Sequence, residues 1–159
     1  MSQQLHYGVA PIEAIKSYDG IGFLKAIIAG EQPHPPICAE LDFHLIEAEP
    51  GRAAFEGMPK YELYNPINIV HGGWAATLLD SAMGCAIFSL LTKGESWTTL
   101  ELKVNYVRAI TKDTGAMRAQ GRIIHRGRQV ATSEGDLRDQ AGTLYAHATT
   151  TCMIFAAKS

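Results

Sequence analysis

Residues 74–91 are apolar at nearly every position, with only Thr77, Asp80, Ser81 and Ser89 interrupting the run. A helix made from this run has no polar side to offer water, so it is expected to be buried on most sides. The run is also long enough to span a membrane, but a carboxylate near its centre would cost roughly 2.5–3.5 kcal/mol there. Strand periodicity in the flanking segments favours a protein core instead. In TTLELKVNYVR, Leu100, Leu102, Val104 and Tyr106 fall on one face of a strand, and Thr99, Glu101, Lys103 and Asn105 on the other. GAMRAQGRIIH, QVATSEGDLRD and TLYAHATTTCMIF follow, separated by the turn signals RGR and QAG, which makes an antiparallel run of four strands. Upstream, ICAELDFHLIEA and AAFEGM flank Pro50-Gly51 and read as a hairpin that begins at Ile37.

Residues 11–30 predict helix, with Asp19 as N-cap, Leu24, Ile27 and Ile28 as the apolar stripe and Gly30 as the stop. The Gly20-Ile21-Gly22 sequence lacks the preceding strand and the Lys-Ser/Thr pair of a phosphate loop, so its glycines read as a turn ahead of the helix. EQPHPP is then a breaker. The chain divides into a helical lead-in, 1–36, and a main domain, 37–159. In the main domain two strands, one long apolar helix and four strands follow in order. A curved antiparallel sheet of about six strands wrapped around the helix buries it economically, an α+β arrangement that matches the hotdog fold.

Composition narrows the function. With 159 residues, 47% hydrophobic and 19% charged, the chain has the make-up of one globular domain. A formal charge of −2 provides no overall basic field for nucleic acid. Three cysteines, Cys38, Cys85 and Cys152, are an odd number without metal-type spacing, so neither a disulfide framework nor a zinc site is expected. A reducing cytoplasm fits best, and the N-terminus has no basic and apolar pair of segments that would form a secretory signal. No GxSxG elbow supports a serine triad.

Asp80 sets the chemical question. It lies nine residues after His71, about two and a half helical turns, at a depth where an ionised carboxylate is costly without partners. Facing a cleft, it would serve as a general base on water or as a nucleophile. Asn65-Pro66 favours a turn, and HGG lets the chain bend where the helix begins. The amides of Gly72 and Gly73 are therefore expected as unpaired donors at a helix N-terminus, suited to a developing oxyanion. One such donor is worth about 2.7–4 kcal/mol of barrier.

The pattern Asn65-x5-His71-Gly72-Gly73-x6-Asp80 resembles the signature of hotdog-fold acyl-CoA thioesterases, and within them the phenylacetic-acid-degradation subfamily. The likeness covers roughly residues 37–155. It implies hydrolysis of aromatic or medium-chain acyl-CoA to free acid and CoA without any cofactor, with Asp80 as nucleophile or general base and Gly72 in the oxyanion hole. It also implies that Asn65 positions water or thioester, that His71 shapes the loop, and that a hydroxyl from the first strand after the helix completes the site. That hydroxyl is Thr99, or Thr98 if the register slips by one. Dimers, paired into tetramers, would bring Asp80 and the Gly72 loop together from different subunits.

For the ligand, Gly73 and Trp74 are expected beside the thioester, and Arg126, Gly127 and Arg128 at a hairpin turn are candidates for the CoA phosphates. Trp74, Leu78, Met83 and Tyr64 are candidates for an acyl pocket. The rival readings are a hotdog hydratase or dehydratase using a His with a carboxylate, and a non-catalytic acyl-CoA-binding module.

Overall fold

The computed structural model describes residues 5–156, and the outermost parts of the two expected units, 1–4 and 157–159, lie outside them. Three short helices come first: α1 (Ile12–Ser17), α2 (Gly20–Ile28) and α3 (Pro36–Glu40). Strands β1 (Phe43–Glu49) and β2 (Arg52–Gly57) form the hairpin, and a single 3-10 turn (Tyr61–Leu63) leads to the long helix α4 (Gly72–Phe88). Strands β3 (Ser96–Tyr106), β4 (Met117–Arg126), β5 (Val130–Asp139) and β6 (Leu144–Phe155) follow. All six strands join one antiparallel sheet in the order β1-β2-β4-β5-β6-β3. This is the α+β hotdog arrangement, with β1 and β3 as its edges.

The inner face of the sheet closes on α4. Leu78, Leu79, Met83 and Ile87 of the helix share one fully buried core with Met117 of β4 and Leu137 of β5. Helix and sheet touch backbone to backbone at Gly121, where a Cβ would come within 2.3 Å of the Ala82 carbonyl oxygen. Only glycine permits that approach. Ser89 caps the far end: its hydroxyl donates to the Ala86 carbonyl at 2.7 Å and accepts the Gly51 amide at 2.8 Å, tying α4 to the β1–β2 turn. Among the described residues no helix is long and apolar enough to cross a membrane.

Four local expectations are corrected. The helical stretch 11–30 is two helices, broken where Tyr18 turns extended and Asp19 caps α2 by accepting the Gly22 amide at 2.8 Å. Gly20 and Gly22 lie inside the first turn of α2, not in a turn ahead of it. A Cβ on Gly20 would sit 1.7 Å from the Phe88 carbonyl oxygen, so close packing against the end of α4 selects glycine there. The first strand begins at Phe43, because Pro36 at N1 starts α3 and Asp42, at φ 52°, reverses the chain. The long apolar run leaves helix after Phe88, and Leu91 is buried as part of the following turn.

Candidate active site

Asp80 sits on a half-buried strip of α4 that it shares with Ser81 and Cys85. The Thr99 hydroxyl donates to its carboxylate, with 2.9 Å between Oγ1 and Oδ1. A β-bulge makes this contact. The register of β3 against β6 shifts between Thr99 and Glu101, leaving Leu100 as an extra residue that is 54% exposed. The shift puts Trp97 and Thr99 on the same half-buried side as Leu102 and Val104. Simple alternation had grouped Leu100 with Leu102 and Val104 and turned Thr99 away, so that assignment is corrected. Thr98 is exposed and pairs in register with Met153, away from Asp80.

Asp80, Ser81 and Thr99 line a cavity of about 250 Å³ whose other walls are largely apolar, with Cys85, Trp97 and Phe23 among them. Burial pushes the thiols of Cys85 and Cys38 up to about 12, and it raises that of Cys152 behind Thr99 as well. A thiol so disfavoured as thiolate is a poor nucleophile at neutral pH. The ionisable oxygen group in this cavity is the Asp80 carboxylate.

The loop ahead of α4 is built by Asn65. Its side-chain oxygen accepts the amides of Ile67 at 3.1 Å and Ile69 at 3.3 Å, and its own amide donates to the Ile69 carbonyl. Asn65 is thus a loop former, and its side-chain NH₂ has no acceptor among the described residues. His71 is the N-cap, its Nδ1 accepting the Gly73 amide at 2.8 Å. That bond places the ring proton on Nε2, so the exposed imidazole edge is a donor. It also corrects the expectation of two free amides: Gly73 is capped. Gly72 N–H has no acceptor among the described residues, while the Gly72 carbonyl accepts from Tyr106 Oη at 3.0 Å. Asn65, His71, Gly72, Tyr106 and Arg108 border a second cavity, of about 420 Å³.

The ligand expectations fare unevenly. Trp74 is 3% exposed and donates its indole N–H to the Leu41 carbonyl at 2.8 Å; with Leu78 and Met83 it is core, and none of the three lines the Asp80 cavity. Tyr64 Oη accepts the Lys112 amide at 2.9 Å. Arg126 is already committed, with its guanidinium on both Glu95 carboxylate oxygens at 2.8 and 3.0 Å and on the Gly127 carbonyl. The Arg126 and Thr92 bonds hold the Glu95 carboxyl below its usual range against the opposing effect of burial. Gly127 spends its amide on the Val130 carbonyl. Arg128 is exposed and has no ion pair among the described residues.

Arg108 was not foreseen from the sequence; it lies over the Tyr145 ring at 5.8 Å and borders the Gly72 cavity without an ion pair among the described residues. Leu24 and Ile27 were read as an apolar stripe with no link to Asp80, and Ser81 and Phe23, which also wall the Asp80 cavity, were passed over. The signal for Arg108 was its place just after the Asn105-Tyr106 strand end. No periodicity announced Ser81 and Phe23.

Fold and site together define a hotdog protein with a hydroxyl-supported carboxylate on its central helix and a free amide at that helix's N-terminus. Residues 67–146 match the family model described as the Thioesterase superfamily, and this chain belongs to that superfamily. A provisionally named esterase of Saccharolobus solfataricus is 30% identical over 108 residues, covering 68% of this chain and 75% of the relative. Among solved structures, a phenylacetic acid degradation-related protein of Ralstonia eutropha JMP134, provisionally named a thioesterase, superposes with a TM-score of 0.74 at 28% identity, covering 82% of this chain and 98% of that one. A Streptococcus mutans protein solved bound to acetyl-CoA shares the fold with a TM-score of 0.66 at 24% identity, over 74% of this chain and 92% of that one.

Proposed function

We propose that the chain hydrolyses acyl-CoA thioesters in the manner of the phenylacetic-acid-degradation subfamily. Asp80 serves as general base on water or as nucleophile, Thr99 orients its carboxylate, and Gly72 N–H receives the carbonyl oxygen as it becomes negative. The 2.9 Å bond between Thr99 and Asp80 at the mouth of an apolar cavity carries this reading. Such a bond fixes one carboxylate oxygen and leaves the other for water or a thioester carbon. His71 holds the loop and offers Nε2–H, and Asn65 offers its side-chain NH₂ next to Gly72. Gly73, capped by His71, holds this end of α4 at the surface, and buried Trp74 holds it from within. The fold neighbour holding acetyl-CoA supports the ligand class.

Asp80 and Gly72 are eight residues apart on one helix, about 12 Å along its axis, too far to share one carbonyl. The reaction therefore needs the Gly72 loop of a second copy, and β3, an edge strand with one side unpaired, is where a homodimer would join sheets. Arg108 at the Gly72 cavity and Arg128 at the hairpin turn, neither with an ion pair among the described residues, serve the CoA phosphates, and Arg126 braces the hairpin through Glu95. A hydratase would set a histidine against the carboxylate, whereas Asp80 in this chain is met by a threonine.

Thiol release from short, medium, long and aromatic acyl-CoAs, by the wild type and by Asp80→Asn, tests the reading. A fall of at least about 100-fold is expected in the variant. No release from any ester by the wild type would leave a binding module as the alternative.

A further inference from the structure

The cavity beside Asp80 ends on aromatic rings. Phe88 stacks on Trp97 with ring centroids 4.2 Å apart and planes at 19°, and Phe23 of α2 meets Phe88 edge-on at 6.0 Å. Phe88 lines this cavity and also a larger one, of about 840 Å³, on its other side. The larger cavity runs between α1 and the start of β3, with Ile12, Ile15 and Phe155 as apolar lining and Lys16 and Lys93 beside them. Phe88 therefore stands between a small pocket at the carboxylate and a roomy groove, held there by Trp97 and Phe23 on the pocket side.

We infer that the wall of Phe23, Phe88 and Trp97 sets the longest acyl group the Asp80 site accepts. This deepens the acyl-CoA reading and rests on it. Asp80, Gly84, Cys85 and Phe88 follow one another along one face of α4. Trp97 packs directly over Gly84, where a Cβ would come within 3.2 Å of the indole nitrogen, so the indole forms one wall of the cavity between Asp80 and Phe88. An acyl group with its carbonyl at Asp80 runs past Gly84 and Cys85 and stops at Phe88. Until it stops, each buried methylene raises kcat/KM about 4-fold; beyond, a carbon must break the ring stack or stay in water. Phe23 lies outside the family-matched residues 67–146, so part of the limit belongs to the N-terminal helices.

The test is kcat/KM for saturated acyl-CoAs from acetyl to palmitoyl, with the wild type, Phe23→Ala, Phe88→Ala and Cys85→Leu. The wild type is expected to rise with length and then fall at least 10-fold before palmitoyl. Phe88→Ala raises the long-to-medium ratio at least 10-fold by joining pocket to groove, Phe23→Ala raises it as much by enlarging the pocket and releasing Phe88 from its edge-on contact, and Cys85→Leu shifts the optimum to shorter chains. Wild type that takes palmitoyl as well as medium chains, or folded wall variants that keep the wild-type ratio, overturns the inference. Phe88 is buried, so should Phe88→Ala fail to fold, Phe23→Ala and Cys85→Leu decide by the same ratios. Hydrolysis of no ester by the wild type is a different failure, which brings down the acyl-CoA reading itself.

Discussion

Thr99 donates one hydrogen bond to a carboxylate, and hydrogen bonds to charged groups contribute about 1.5–3 kcal/mol. Thr99→Val keeps the shape of the strand and removes the donor, so kcat is expected to fall about 10- to 100-fold, with Thr99→Ser restoring most of it. At the other end of α4, proline suits the first helical position because its missing N–H and fixed φ are tolerated there. Gly72→Pro then removes the proposed oxyanion donor, with an expected loss of about 100- to 1,000-fold in kcat. A Cβ at Gly72 would meet the Tyr106 ring at 3.0 Å, so Gly72→Ala, which keeps the N–H, measures the steric share. An equal loss in both variants would deny the amide its role. His34 poses a different residue-scale question. It is 3% exposed, its Nδ1 has no hydrogen-bond partner among the described residues, and burial, with the charges of His44 and His6 behind it, holds its pKa down to about 4. The unfolded chain therefore binds more protons than the folded one between pH 6.5 and 4, and stability falls as pH falls through that window, by up to about 3 kcal/mol. Urea midpoints measured from pH 7 to 4.5 should drop more steeply for the wild type than for His34→Gln.

The bulge in β3 is an element-scale device. One extra residue, Leu100, reverses the phase of the strand at the point where Thr99 must face inward. Deleting Leu100 leaves Thr99 opposite Cys152 and Glu101 opposite Thr151 in uninterrupted alternation, with Thr99, Leu102 and Val104 all still inward. The deletion is therefore expected to leave a folded chain that keeps Thr99 on Asp80 and most of the wild-type thiol release, as circular dichroism and the activity assay would show, and a loss as large as that of Thr99→Val would mean that the bulge itself shapes the site. The contact of α4 with β4 is a second such feature. Gly121→Ala must push a carbonyl 2.3 Å away, and the helix has no slack to yield. A loss of about 1–3 kcal/mol in denaturant unfolding is expected, from overpacking. The N-terminal helices were read as a lead-in, and α2 does precede the domain in sequence, but Phe23 and Leu24 line the Asp80 cavity and Leu24 is 2% exposed.

At the scale of the whole molecule, one chain holds each half of the proposed site but cannot bring them together. If each site takes Asp80 from one subunit and Gly72 from its partner, two inactive variants should rescue one another. In a mixed dimer of Asp80→Asn with Gly72→Pro, one site carries both defects and the other carries neither. Random mixing of equal amounts makes half the dimers mixed, each with one good site of two, so about a quarter of wild-type activity should return. No recovery after co-refolding, with mixed dimers shown by mass spectrometry, would place both groups in one chain.

The hydrophobic pattern by itself determined the order of elements, because a run with no polar face has to be wrapped and an alternating run has to lie half-buried on a sheet. The same local logic marked Asp80, His71 and Gly72, since a carboxylate inside such a helix and a glycine pair at its start are anomalies a sequence can display. Tertiary structure decided the rest. Thr99 depends on a bulge, which is a mismatch with a partner strand 53 residues away in sequence at Cys152 and leaves no trace in the strand's own periodicity. Arg126 and Arg128 look alike in sequence, yet Glu95 occupies one and leaves the other free. Trp74 reads as a ligand contact beside the glycines until the fold turns it inward onto Leu41. Local sequence fixes what a residue can do over the next turn or the next strand position, whereas which distant groups meet it is set by how the sheet closes on the helix.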